Sequence, residues 1–317
     1  MSSTSSNSVW NSANKKFKSK VDKIFHKYPK LPKTLPREDS LPLQIGSKVS
    51  VRDYNTFLIQ NEKTGYKFHW EGDNVYIIDM ANPEHEAVVS YLQDCFKEPN
   101  NGVKLGPIEV LGQPFHYNPT NNIEKMAPDI MVRGDTALLT QPLVSHPGPP
   151  PSDKRPHGRI MCEIASAQNV ASWGTRCENW MHEQYIRCVF GVKLDDVRSF
   201  QGNVHRSMIA MLWTRRALAG SVLSTNATLA GNGVYVKQWD FGTLQYGTNT
   251  ATGCNANNLN AYQVTIPVSD AFWDPPIVGG VPNVAEYAVT VPGTVLGNNF
   301  IIDLYDVQRV VLKTQKP

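Results

Sequence analysis

The chain is short of several things, and each absence narrows it. Its five cysteines, Cys95, Cys162, Cys177, Cys188 and Cys254, form no CxxC pair and are odd in number. That excludes a zinc ribbon and a complete intrachain disulfide framework, and it suits a reducing compartment. Charged residues make up only 19%, and glycine and proline number 22 each in 317 residues, so neither a wholly disordered nor a collagen-like chain is expected. No apolar run approaches the roughly 18 residues that a membrane span needs, and MSSTSSNSVWNSANKK at the start lacks the apolar segment of a signal peptide. An intracellular protein of the nucleus or cytoplasm is expected, with no signal peptide, no transmembrane segment and an unused sequon at Asn226.

What is present is enough for a large core, since 41% of residues are apolar. The charge is unevenly spread. Residues 1–37 carry nine Lys or Arg against the single acid Asp22, a local +8, which leaves the remainder near −5. A basic tail on a mildly acidic body suggests an arm for polyanions: segment 15–37 would contact phosphates, while the body is not a generally basic surface. Lys15-Lys16-Phe17-Lys18-Ser19-Lys20 reads equally as an import signal, a phosphate-binding arm or a solvating tail, and Val21, Ile24, Phe25 and Tyr28 permit one short helix.

Three regions follow from composition: a Ser/Lys/Pro-rich tail over 1–42, a core over 43–200 and a β-rich extension over 201–317. Pro83 with Glu84 and Glu86 precedes Ala87, Val88, Tyr91, Leu92 and Cys95, spaced three and four apart, which predicts a helix over 83–96. Strands are expected over 108–111, 129–132, 159–165 and 188–194, a loop over 142–158 with its six prolines, and a helix over 170–186. The order describes an α/β core around a small mixed sheet. Beyond it, the spacing suggests a helix over 208–218 and strands over 234–236, 262–268, 287–291 and 300–304. Asp240-Phe241-Gly242 has no HRD or glycine-rich loop beside it, which excludes a kinase.

The residues that carry chemistry are acids on two neighbouring strand candidates. Asp129 follows Pro128, and Glu163 lies 34 residues later between Cys162 and Ile164. Two such carboxylates, with waters and a substrate phosphate, complete a magnesium shell, and such a metal activates water against a phosphodiester. Ala127-Pro128-Asp129-Ile130, Cys162-Glu163-Ile164-Ala165-Ser166-Ala167-Gln168-Asn169 and Phe272-Trp273-Asp274-Pro275-Pro276 together resemble the PD-(D/E)xK restriction-endonuclease-like superfamily. The likeness is to the nuclease-like proteins abundant in arbuscular mycorrhizal fungi, and it covers about residues 46–317.

The resemblance implies an α/β restriction-endonuclease-like core with a small mixed sheet flanked by helices, plus the β-rich extension. It also implies a Mg²⁺-dependent (or Mn²⁺-dependent) nuclease acting on nucleic acid, DNA first. Asp129 and Glu163 become metal ligands, with Glu86 (or Glu84) as a further carboxylate, and Gln168 and Arg176 join the catalytic set. The pattern departs at Ala165, where the family places a lysine two residues after the acid on the same strand face. Arg176, seven residues after Asn169, is the expected substitute, as a charge carrier that cannot serve as a base.

Each residue also has a plainer role: Asp129 as a turn cap, Gln168 as the cap of the next helix, Arg176 as a partner of Glu178, Glu84 and Glu86 as first-turn acids. His85 and His182 read as surface or packing residues, and Trp173 and Trp180 as a core stripe. The alternative function is a catalytically degenerate nucleic-acid-binding or effector-type module of the same fold.

Overall fold

The computed structural model describes residues 28–121, 123–139, 156–279 and 281–315. The expected 15–20 motif, nearly all of the expected tail helix and most of the proline loop lie outside the described residues. The chain divides into two compact units, residues 1–80 and 81–317.

The first unit holds strands β1 (Leu43–Gly46), β2 (Tyr66–Glu71) and β3 (Asn74–Met80), paired as an antiparallel sheet in the order β1-β3-β2, with helix α1 at Val51–Gln60. Ser50 caps α1 by accepting from the Asp53 amide at 3.1 Å, and Tyr54, Phe57 and Leu58 are its buried side. Phe57 meets Phe68 of β2 edge-on at 5.0 Å. The segment 28–42, which composition groups with the tail, is bonded into this unit: Tyr28 Oη donates to Gln60 Oε1 at 2.9 Å and the Lys30 amide to the Ile45 carbonyl at 3.1 Å.

The second unit is built on a seven-stranded mixed sheet. Its strands are β4 at Ile108–Gly112, β7 at Ile130–Gly134, β8 at Ile160–Ala165, β9 at Cys188–Phe200, β10 at Asn203–Thr214, β11 at Val222–Leu223 and β12 at Tyr235–Asp240. They lie in the order β11-β12-β10-β9-β8-β7-β4. A short pair, β5 (His116–Tyr117) and β6 (Lys125–Met126), sits between β4 and β7 in the chain. Only β8 and β9 of the large sheet run parallel, and they are joined by the crossover helix α3 at Val170–Met181. The sheet runs without interruption through residue 200, because β9 and β10 form one long antiparallel hairpin there. A single helical turn, α4 (Ala227–Gly231), leads into β12.

Alternation along the strands sorts the side chains onto two faces. Ile160, Cys162 and Ile164 of β8 and Phe190 and Val192 of β9 pack with Val88, Leu92 and Phe96 of α2 (Pro83–Lys97) and with Val307 and Val311 of α5 (Leu304–Thr314). After β12 come β13 (Gln263–Pro267), the small hairpin of β14 (Ile277–Val278) and β15 (Val281–Pro282), and β16 (Asn299–Asp303). Strands β13 and β16 pair antiparallel and add Val264, Ile266, Phe300 and Ile302 to that core. On the other face, Met161 and Ala165 of β8 pack with Trp173, Cys177 and Trp180 of α3. Gly191 of β9 makes room there, since a Cβ at that position would lie 2.5 Å from Trp173 Cζ2.

Two expectations need correction. The stretch 208–218, read as helical, is the second half of β10 and the turn after it. Its run Met208 to Trp213 is buried almost throughout, and a strand covered on both faces loses the alternation that separates it from a buried helix. Residues 287–291, expected as a strand, have no regular structure. Helix α5 starts on Asp303, whose side chain accepts from the Tyr305 amide at 2.9 Å. Among the described residues, no helix is long and apolar enough to cross a membrane.

Candidate active site

At one end of the sheet the chain gathers the start of β7, the end of β8, the middle of β9 and the first turn of α2. Asn82 caps α2 by accepting from the His85 amide at 2.7 Å, with Pro83 in the first turn. That cap sets Glu84, His85 and Glu86 at the helix start, where the dipole favours acids.

Asp129 is 1% exposed. Its amide donates to the Cys162 carbonyl at 3.0 Å, and its Oδ2 accepts from the Ile164 amide at 2.7 Å, so the side chain is tied to β8 at the start of β7. His85 Nε2 lies 3.4 Å from Asp129 Oδ1, and His85 Nδ1 lies 3.0 Å from Glu86 Oε1. The result is a carboxylate–imidazole–carboxylate series running from the exposed Glu86 to the buried Asp129. His85, expected as an ordinary surface or packing residue, is buried at its centre. Glu84 turns elsewhere, 3.7 Å from Arg206 Nη1 of β10.

Glu163 is fully buried on the α3 side of β8. Its Oε1 accepts from Trp180 Nε1 at 2.6 Å and from Arg176 Nε at 3.0 Å. Arg176 also donates through Nη2 to the Ala127 carbonyl at 2.7 Å, so one guanidinium ties the acid of β8 to the chain two residues before Asp129. A charge buried this deeply is sustained only by such pairing. Trp173 and Trp180 are core residues as read, and each adds an indole donor: Trp173 Nε1 reaches the Glu163 carbonyl at 3.1 Å. The cap of α3 is Asn169, which accepts from the Ser172 amide at 2.8 Å. Gln168 is therefore not the capping residue; it is buried in the β8–α3 turn.

One further residue escapes the sequence reading. Lys193 of β9 is paired in parallel register with Ala165, and it shares the parity of Gly191, which faces Trp173 on the side of Glu163. Its Nζ donates to the carbonyls of Ser166 at 2.5 Å and Leu194 at 2.6 Å, and lies 3.7 Å from Asp195 Oδ1. An ammonium thus stands one strand over from the position where the motif lacks one. Two signals point to it: a lysine inside the apolar run CVFGVKL, and the requirement that a crossover helix join parallel neighbours.

Among the described residues, no group of three or more His, Cys, Asp or Glu is placed to hold a metal ion. Magnesium takes one or two protein carboxylates and keeps its waters, so Asp129 and Glu163 fit it in kind and number. Their Oδ2 and Oε1 atoms already accept hydrogen bonds, and an ion at Glu163 would compete with Arg176. Glu86 lies on the far side of His85 from Asp129.

No family model matches the chain, and no curated protein matches it. A solved structure from Anabaena variabilis ATCC 29413, described as a "putative nuclease belonging to DUF820", aligns at 9% identity and a TM-score of 0.35, over 58% of this chain and 92% of that one. A likeness this slight transfers neither fold nor activity, and the case for the site rests on its own residues.

Proposed function

We propose that the chain is a nuclease-like protein that hydrolyses nucleic-acid phosphodiester bonds, DNA in the first instance, at the sheet end bearing Asp129, Glu163 and Lys193. The observation that carries this reading is the register of Lys193 beside Ala165, on the face of Glu163. Glu163 stands opposite Gly191 and Lys193 opposite Ala165, so the neighbouring strand supplies an ammonium two residues beyond the acid, where the motif's own strand supplies only the acid.

Asp129 and Glu163 would hold the magnesium ion, whose chemistry when bound is polarisation of the phosphoryl group and activation of water. Lys193 would offset the negative charge that builds on the phosphoryl oxygens, a role that is strongest in a site already shielded from water. Arg176, permanently protonated, contributes charge and anchors Glu163, and takes no proton. His85, fixed between Glu86 and Asp129, would orient the Asp129 carboxylate.

A second reading, a nucleic-acid-binding module without turnover, is favoured by one feature: Glu163 Oε1 is engaged by both Arg176 and Trp180. Incubating the full chain with plasmid and single-stranded DNA in Mg²⁺ or Mn²⁺ separates the two. On the first reading the wild type cleaves, Asp129→Asn falls to background, and Lys193→Met loses about 10²–10³ in rate. A folded wild type that cleaves no faster than Asp129→Asn leaves only the module.

A further inference from the structure

The opposite end of the same sheet holds a second concentration of charge. β8, six residues long, separates it from the candidate active site by roughly 20 Å. Here Arg187 precedes β9 and Arg215 follows β10, and the Arg215 amide donates to the Arg187 carbonyl at 3.3 Å, which brings the two residues together. Both line a pocket of about 240 Å³, with Trp273, Gln184, Asn232 and Val284 among its walls.

The two arginines are held in place without being neutralised. Arg215 donates through Nε to the Ile186 carbonyl at 2.9 Å and through Nη2 to the carbonyls of Met181 at 2.8 Å and Glu183 at 3.0 Å. These acceptors fix its plane and carry no formal charge. The Arg187 guanidinium lies 4.2 Å from the centroid of the Trp273 ring, and its buried Nε has no hydrogen-bond partner among the described residues. Among those residues, neither arginine forms a salt bridge.

The acids nearby do not balance them. Asp270, whose charge reaches Arg187, is bonded to Arg216. Burial pushes the Glu183 carboxyl up to about 8, so it is largely neutral at pH 7. Burial shifts His182, which lines the same pocket, downward, away from the charged form. Arg215 is pushed down to about 10, first by burial and next by the charge of Arg187. Two like charges brought together at the wall of one pocket attract an anion.

We propose that this pocket binds a nucleoside 5′-monophosphate group, free or as the 5′ end of a nucleic-acid strand, with Arg187 and Arg215 on the phosphate. With Nε and Nη2 of Arg215 given to backbone carbonyls and Nε of Arg187 buried, the phosphate oxygens would take charge-assisted hydrogen bonds from Arg215 Nη1 and from the Nη groups of Arg187. The pocket is larger than a bare anion requires, and its walls are of two kinds. Asn232 and Gln184 can meet sugar hydroxyls, while Trp273 and Val284 offer apolar contact.

The test is calorimetric titration of the full chain with inorganic phosphate, AMP, adenosine and an oligonucleotide bearing either a 5′-phosphate or a 5′-hydroxyl. AMP should bind more tightly than inorganic phosphate, and adenosine should not bind. A 5′-phosphorylated strand that exceeds its 5′-hydroxyl twin, by a margin that Arg187→Gln abolishes, assigns the strand end as ligand, and equal affinity of the twins assigns the free nucleotide. Arg187→Gln, which removes no side-chain hydrogen bond among the described residues, should weaken AMP binding at least tenfold while the thermal midpoint without ligand stays put. Arg215→Gln serves as the second variant where it folds. No binding of AMP at millimolar concentration, equal binding by folded Arg187→Gln, or equal affinity for AMP and adenosine would each overturn the proposal. Because AMP, phosphate and adenosine report on the arginine pocket and the two oligonucleotides differ only at the 5′ end, loss of DNA cleavage in Asp129→Asn leaves these comparisons unaffected.

Discussion

Buried ionisable residues divide here by what faces them. Glu163 has a guanidinium and an indole N–H on one oxygen, so its charge is compensated where it sits. Glu183, equally buried, accepts from the Tyr185 amide at 3.2 Å and has His157 Nδ1 at 4.0 Å from its other oxygen. His157 is itself kept neutral by burial. The Glu183 carboxyl therefore rises from the ordinary 4.5 to about 8, with burial as the leading cause. The sign follows directly. Between pH 4.5 and 8 the unfolded chain has released a proton that the folded chain keeps, so the contribution to stability is complete below 4.5 and is lost as pH rises toward 8. The slope is about 1.4 kcal/mol per pH unit for one proton. Glu183→Gln keeps a carbonyl for the Tyr185 amide and cannot ionise. Urea midpoints measured from about pH 5 to 8 should show the wild type losing ground steadily to this variant. A difference that stays level with pH would remove Glu183 as the titrating group.

At the scale of elements, legibility depends on whether a signal is local. The start of α2 is readable because Pro83 and its flanking acids act within one turn. Arg176 as a companion of Glu163 is also within reach, since a helix that returns from the end of a strand brings its second turn back over that strand. Lys193 stands out as a lysine in an apolar run, but its register with Ala165 does not show along the chain, because that relation lies in strand pairing. The i, i+2 rule operates along β8, whereas the amine is supplied across to β9. The misread helix at 208–218 fails for a related reason: a central strand buried on both faces carries no period.

The same packing gives a paired prediction. Gly191→Ala would drive a methyl to 2.5 Å from the Trp173 ring and 3.1 Å from Cys177 Sγ. Trp173 is fully buried, so relief must come from shifting α3, at a cost of about 1–3 kcal/mol. At Gly174, on α3 itself, an added methyl would meet nothing within 4 Å, and Gly174→Ala should stabilise by about 0.5–1 kcal/mol through helix entropy alone. Opposite signs in chemical denaturation are expected; a neutral Gly191→Ala would mean that α3 does not press on β9 at this point.

For the whole molecule, charge and architecture make separate demands. Residues 1–27 hold six lysines and one acid, a local +5, so the chain without them carries a formal −2 against the full +3. A body of that sign repels a polyanion at long range, and whatever it offers to nucleic acid must be local, as at Lys193 or the Arg187–Arg215 pair. Long-range attraction then falls to the first 27 residues, since each lysine–phosphate contact adds a sequence-independent, salt-sensitive increment. Cutting further, to residue 40, would remove Tyr28 and Lys30, which are bonded into the first unit, and would confuse the removal of charge with damage to the structure. Deleting 1–27 should leave the thermal midpoint unchanged while lowering affinity for DNA at low salt. The plot of log affinity against log salt should flatten by up to about five, near 0.9 for each lysine taken off a phosphate. An unchanged slope with unchanged affinity would take these lysines off the nucleic acid and leave binding to the two ends of the sheet alone.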